Sequence, residues 1–272
     1  MRVTLLGTGD TTGTPTAGCD CETCTYAIEN GIERSRFSVH VENEETGESL
    51  LVDFSPDFRA QFLTHDVALP DAGIVTHVHF DHLDGLGNTY RLFSDLPVHA
   101  ADEVDPVTGT SVAGTIREKY DYLDRITVSE QRPYEPFTTC GFEVTFVPVD
   151  HPPLLCYGLT IEHEGAKLSL SGDTSYGIGD RAREVLSEPD LLLADAIVPA
   201  SLCEHHPIGG RHRDETGVPR TFGSKHMTRE GALALADDLG AEETRLVHVA
   251  HFYPVEEAFA APLAVDGERY VL

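Results

Sequence analysis

Thr76-His77-Val78-His79-Phe80-Asp81-His82-Leu83-Asp84-Gly85 places three histidines and two carboxylates within ten residues. The preceding Ala72-Gly73-Ile74-Val75 is apolar, partly β-branched and bounded by Pro70 and Asp71, and reads as a buried strand running into a loop. In still-extended backbone His77 and His79 alternate with Val78 and aim the same way. Asp81 and His82 follow where the chain turns and can face a neighbouring position. Imidazole and carboxylate are ligands that a borderline divalent cation accepts, so this stretch is enough to start two metal sites side by side. The alternative is a set of surface histidines ahead of a helix capped by Asp81. Three histidines in six residues, with acidic neighbours, speak against it.

The 272-residue chain is long enough to bury a substantial core, and its apolar fraction of 40% is ordinary for a soluble protein. No apolar run approaches bilayer length, and Met1 to Leu6 leads straight into Gly7-Thr8-Gly9-Asp10 without the core of a secretion signal. A cytoplasmic location and no membrane partner are expected. The formal charge of -27 comes from 46 acidic against 19 basic residues, spread over the whole chain. Such self-repulsion is tolerated in concentrated salt, where the Debye length falls to about 3 Å at 1 M, so a halophilic source is expected. The same charge disfavours nucleic acid as a partner.

Arg2 to Leu6 reads as a strand ahead of a glycine-rich turn, and Arg36 to Glu42 with Ser49 to Asp53 as a hairpin. Helices are expected over Asp57 to His65, Gly85 to Leu96, Val112 to Leu123 and Ala232 to Leu239. Strand character returns at Val98 to Ala100, Ile126 to Ser129, Thr138 to Cys140 and Phe142 to Val149. Around Asp150 the pattern begins again, with Tyr157 to His163, Lys167 to Leu170, Leu191 to Ala194 and Arg245 to His251 as strands. Hairpins that open both halves, with helices following, fit two packed sheets with helices outside. We expect one domain over residues 1–272 with a structural halving near residue 150. The oligomeric state is left open, a homodimer included.

Polar residues gather where the later strands end: Asp150-His151, Ser171-Gly172-Asp173-Thr174, and His248 with His251. Cys19, Cys21 and Cys24 supply three thiols in six residues, a natural tetrahedral zinc set that needs a fourth ligand from elsewhere. Cys140, Cys156 and Cys203 read as small apolar groups. His205 to Arg213, followed by Arg220 and Lys225, locally reverses the charge of an acidic chain and reads either as a phosphate-binding segment or as a solvated flexible loop.

The series His77, His79, Asp81, His82, His151, Asp173 and His248 resembles the dinuclear ligand pattern of the metallo-β-lactamase superfamily. Gly7-Thr8-Gly9, the cysteine cluster and Ser224-Lys225-His226-Met227-Thr228 resemble its phosphoribosyl cyclic phosphate phosphodiesterase branch, and more distantly the tRNA 3′-processing ribonucleases. The resemblance implies an α/β fold, an αββα sandwich of two mixed β-sheets with outer helices. It also implies that His77, His79 and His151 hold one metal, that Asp81, His82 and His248 hold a second, and that Asp173 bridges them. Zinc or manganese would suit that pair. A structural zinc would lie on Cys19, Cys21, Cys24 and His251, and His226 would orient or protonate the substrate. Asp81, Asp173 and His226 are therefore the expected catalytic residues, and Arg211, Arg213, Arg220 and Lys225 the expected contacts to substrate phosphate.

A shared carboxylate can hold two cations about 3.5–4 Å apart and activate a water between them. The expected function is hydrolysis of a small cyclic phosphate such as 5-phosphoribosyl 1,2-cyclic phosphate. A tRNA 3′-end endonuclease is the alternative within the same chemistry, although neither a basic arm nor an aromatic stacking platform is visible. A metal-dependent thioester or carbonyl hydrolase is the alternative outside it.

Overall fold

The computed structural model describes residues 1–272. One mixed sheet contains β1 (Arg2–Gly7), β2 (Ser38–Glu42), β3 (Ser49–Val52), β4 (Ala72–Val75), β5 (Leu96–Ala101) and β6 (Ile126–Gln131). A second contains β7 (Phe137–Thr139), β8 (Phe142–Val149), β9 (Cys156–His163), β10 (Ala166–Leu170) and β11 (Leu191–Asp195). A small third sheet is made of β12 (Gly210–Arg213), β13 (Pro219–Phe222) and β14 (His226–Met227); β15 (Glu243–Val247) then returns to the second sheet and β16 (Arg269–Val271) to the first. Strand order is β16-β1-β2-β3-β4-β5-β6 in the first sheet and β15-β11-β10-β9-β8-β7 in the second. Each sheet joins antiparallel pairs to a parallel run: β3 to β6 in one, and β10, β11 and β15 in the other. The architecture is the expected α/β sandwich of mixed sheets with helices.

The main core packs inner faces of the two sheets together, with Val39, Val52 and Ile74 from one and Phe146, Leu159 and Leu168 from the other, all buried. A second core lies between the second sheet and its helices. There the helix Arg229–Leu239 begins on Thr228, whose hydroxyl accepts from Gly231 N at 3.1 Å, and ends on Gly240 at φ 68. Ala232, Leu235, Ala236 and Leu239 recur at helical spacing and are buried, each leucine contributing about 2 kcal/mol.

Three stretches differ from the sequence reading. Gly85 to Leu96 is not a helix: a short 3₁₀ turn covers Asp84–Thr89, and Leu96 already belongs to β5. Gly85 and Gly87 weaken helical propagation, Arg91 sits at φ 66, and Tyr90 is 54% exposed. The strand expected over Arg245 to His251 stops at Val247, because His248 adopts φ 57 and turns the chain. The basic segment is an ordered three-stranded sheet rather than a loop.

Gly85 is required by a close approach. A Cβ there would stand 1.9 Å from the Ser55 carbonyl oxygen and 2.6 Å from that of Phe54. Gly85 N donates to Phe54 O and Phe54 N to His82 O, both at 2.8 Å, so the histidine loop is laced to the segment leaving β3. Gly85→Ala should therefore cost about 3 kcal/mol or more and lower metal uptake in parallel, measured by urea denaturation and elemental analysis.

Candidate metal centre

Residues from six strand ends meet at one place. β3 is followed by Asp53, β4 by Thr76 to His82, β8 by His151, β10 by Asp173 and β15 by His248, while Asp195 ends β11. Asp53 at φ 61 and His248 at φ 57 both occupy the left-handed region, a strained backbone that turns each side chain off its strand. The short helix Phe80–Leu83 carries Asp81 and His82.

The structure brings all seven sequence-derived ligands together. Ligand atoms of His77, His79, His151 and Asp173 lie within 4.8 Å of one another, and so do those of Asp81, His82 and His248. Asp173 stands between the sets, its Oδ2 3.6 Å from His77 Nε2, 3.3 Å from His82 Nε2 and 3.2 Å from His248 Nε2. Asp81 Oδ2 lies 3.5 Å from both His82 Nε2 and His248 Nε2. These nitrogens nevertheless lack hydrogen-bond geometry: His82 Nε2 and both ring nitrogens of His151 and His248 are buried without a partner. Donors at about 2.0–2.1 Å around one tetrahedral ion stand about 3.3–3.4 Å from each other. The spacing and the orphaned nitrogens fit divalent cations.

Two carboxylates that the sequence reading did not single out hold the histidines in place. Asp53 Oδ2 is 2.6 Å from His82 Nδ1 and accepts from Thr76 Oγ1 at 2.8 Å, while its Oδ1 accepts from Thr76 N at 2.8 Å. His82 is thereby left to offer Nε2 to a ligand. Asp195 Oδ2 accepts from Thr174 N at 2.9 Å and lies 3.0 Å from His226 Nδ1. The His226 ring stands 5.0 Å from that of His151 and stacks 4.9 Å from that of His248. Their only sequence signal is position, a carboxylate where an apolar strand stops.

Charge on the cluster's side chains follows from burial and neighbours. Burial drives His77 far below the ordinary histidine value, with neighbouring histidines adding to the effect. Burial also opposes charge on His82 and His248, but Asp173 with the other carboxylates overrides it and lifts His248 to about 9. Asp173 is driven well below the carboxylate range by His248 and His82 despite its burial. Burial raises Asp195, against the pull of His226 and His248.

Cys19, Cys21 and Cys24 form a separate cluster, with Sγ atoms 3.4, 3.3 and 3.4 Å from His251 Nδ1. A zinc ion bound by thiolate and imidazole separates such donors by about 3.5 Å. Burial pushes the Cys24 thiol up to about 11, so a thiolate there needs a cation beside it. Backbone N–H groups of Thr16 and Cys24 already point at Cys24 Sγ and Cys21 Sγ, at 3.3 and 3.4 Å.

The four basic residues expected at substrate are dispersed. Arg211 and Arg213 are exposed on β12, and Arg213 Nη1 donates to Gly217 O at 2.5 Å within its own hairpin. Arg220 lies 4.6 Å over the Tyr176 ring and donates to the phenol oxygen at 2.6 Å. Lys225, in the turn between β13 and β14, is half-buried, and its charge is felt at His79.

Residues 48–249 match the beta-lactamase superfamily domain. The chain belongs to the metallo-β-lactamase superfamily. Among solved structures of this superfamily fold, a diphosphatase described as new and from the PhnP family is 25% identical, with a TM-score of 0.78 over 100% of this chain and 97% of its own. Zinc-bound PqqB from Methylobacterium extorquens is 20% identical, also with a TM-score of 0.78, over 100% of both chains. An octanoyltransferase of Porphyromonas gingivalis is 28% identical over 269 residues, which is 94% of this chain but 47% of that protein. The chain thus spans about half the length of this curated relative. Superfamily membership and the PhnP-family likeness support a metal-dependent hydrolase.

Two measurements follow from the metallo-β-lactamase centre. With its folded value raised to about 9, His248 contributes stability that is fully present below the unfolded value of about 6.5 and is lost as pH rises through about 9. Chelator-treated protein should therefore lose urea resistance across that window, and His248→Ala should flatten the loss. Cys21→Ser should remove one zinc per chain by elemental analysis while the cations of the histidine cluster remain; unchanged zinc content would overturn the thiolate site.

Proposed function

We propose that the chain is a phosphodiesterase that opens a small cyclic phosphate, of which 5-phosphoribosyl 1,2-cyclic phosphate is the leading candidate. The observation that carries this reading is the His226–Asp195 pair beside the cluster, an imidazole held at 3.0 Å by a fully buried carboxylate. When bound, two divalent cations would supply an activated water and offset charge on the phosphoryl oxygens. His77, His79 and His151 would hold one, Asp81, His82 and His248 the other, and Asp173 both. Zinc and manganese both suit these ligands.

His226 then has a defined task. Its Nδ1 is engaged by Asp195, which leaves Nε2 to hold a proton for the departing ring oxygen. Water adds to phosphorus through its oxygen and gives up one proton to solvent, and the P–O bond to the ring oxygen breaks. That oxygen leaves as a hydroxyl carrying the proton from His226, and His226 regains a proton from solvent. Asp53 and Asp195 keep the imidazoles in register, so that the phosphoryl group meets a preformed site. The diphosphatase likeness agrees with chemistry at phosphorus.

A carbonyl reading is favoured by one observation, the octanoyltransferase name of a relative about twice this length. The tRNA-processing reading lacks a basic arm in a chain of net charge -27. Assays with the cyclic ribose phosphate, precursor tRNA and an octanoyl thioester separate the three. His226→Ala should keep its metals and lower kcat on the cyclic phosphate about 10²-fold. Loss of metal in that variant would make His226 a ligand, since it also lies within 4.8 Å of donors from Asp173 and His248.

A further inference from the structure

We propose that Thr221 is a positioning residue for His226. Its hydroxyl ties the loop that follows Asp173 to the hairpin that carries His226, and so fixes how far that imidazole reaches toward the departing oxygen. The inference deepens the phosphodiesterase reading and rests on it.

The loop behind the shared carboxylate directs successive backbone N–H groups at its neighbours. Thr174 N donates to Asp195 Oδ2 at 2.9 Å, Ser175 N to the carbonyl oxygen of Asp150, beside His151, at 2.7 Å, and Tyr176 N to Thr221 Oγ1 at 2.9 Å. Thr221 on β13 pairs with Met227 of β14, and the next pair in that register is Phe222 with His226. Two ties from one loop therefore locate His226: Asp195 holds its ring, and Thr221 its strand. Together they keep an imidazole nitrogen within 4.8 Å of donors from Asp173 and His248.

The Thr221 hydroxyl is fully buried and engaged twice. It accepts from Tyr176 N, which leaves its own proton for His212 Nδ1 at 2.8 Å. His212 sits at φ 49 between the pairs Arg211–Thr221 and Arg213–Pro219, a strained backbone for a strand residue other than glycine. Its ring lies over Gly177, where a Cβ would stand 3.2 Å from Cε1.

Tyr176 is fixed from its other end. Its phenol donates to Asp238 Oδ2 at 2.5 Å and accepts from Arg220 Nη1 at 2.6 Å, and the guanidinium groups of Arg183 and Arg220 lie 4.7 and 4.6 Å from the ring centre. Loop and hairpin are each stiff, and the Thr221 hydroxyl is the joint between them. Ile197 N also pins Met227 O at 3.1 Å, so the hairpin stays docked without that hydroxyl, and loss of the tie displaces His226 rather than unfolding the sheet.

The test uses metal-loaded wild type, Thr221→Val, which keeps the shape and removes the hydroxyl, and Thr221→Ser, which keeps the hydroxyl. Each is assayed on 5-phosphoribosyl 1,2-cyclic phosphate, whose leaving alcohol needs a proton, and on bis(4-nitrophenyl) phosphate, whose nitrophenolate leaves without one. The ratio of kcat on the first to kcat on the second should fall about 10-fold in Thr221→Val and return in Thr221→Ser, with metal content unchanged in both. Equal loss on the two substrates, or loss of metal, would overturn the positioning role while leaving the phosphodiesterase reading in place. If wild type does not open the cyclic phosphate, that reading fails by itself. Crystal structures of the loaded proteins decide the inference independently of turnover: His226 should move by about 0.5 Å or more in Thr221→Val and stay in place in Thr221→Ser. A His226 imidazole that superposes on that of wild type in Thr221→Val overturns it.

Discussion

The structure depends on a cluster of buried histidine nitrogens that have no hydrogen-bond partner. Leaving one such atom dry and unpaired costs a few kcal/mol, and here five are gathered on His82, His151 and His248. Two carboxylates, Asp81 and Asp173, sit among them at distances suited to sharing an ion rather than a proton. Burial alone would separate these groups. The strand ends hold them together, and the cations that satisfy them also stabilise the fold.

That requirement explains the irregular backbone. Asp53 and His248 take positive φ where each strand stops, and the Gly85 backbone is pressed against the Ser55 carbonyl. These three departures from regular structure lie beside a ligand or are the carboxylate behind one. The regular parts, two sheets with a dry interior and capped helices, are what keep those departures fixed.

Much of this was legible in the sequence. The Thr76 to Gly85 stretch announced the ligands, and alternation identified the hairpin of β2 and β3. Gly85 to Leu96 misled because Leu86, Tyr90 and Phe93 mimic a helical face, while the close approach to Ser55 that ends the helix is a tertiary fact. Asp53 and Asp195 were missed for a related reason: a carboxylate at a strand end becomes informative only when the histidine it supports, 29 or 31 residues further on, is seen against it. The basic segment was legible as charge, but not as partners. Arg220 is absorbed by Tyr176 from another loop, and only the folded chain separates it from Lys225.

The link from Cys19, Cys21 and Cys24 to His251 ties the first loop of the chain to the turn that leaves β15. His248, three residues earlier, opens that turn at φ 57. One turn therefore presents a ligand to each cluster, His248 to the histidines and His251 to the thiols, so the two sites share a single stretch of backbone.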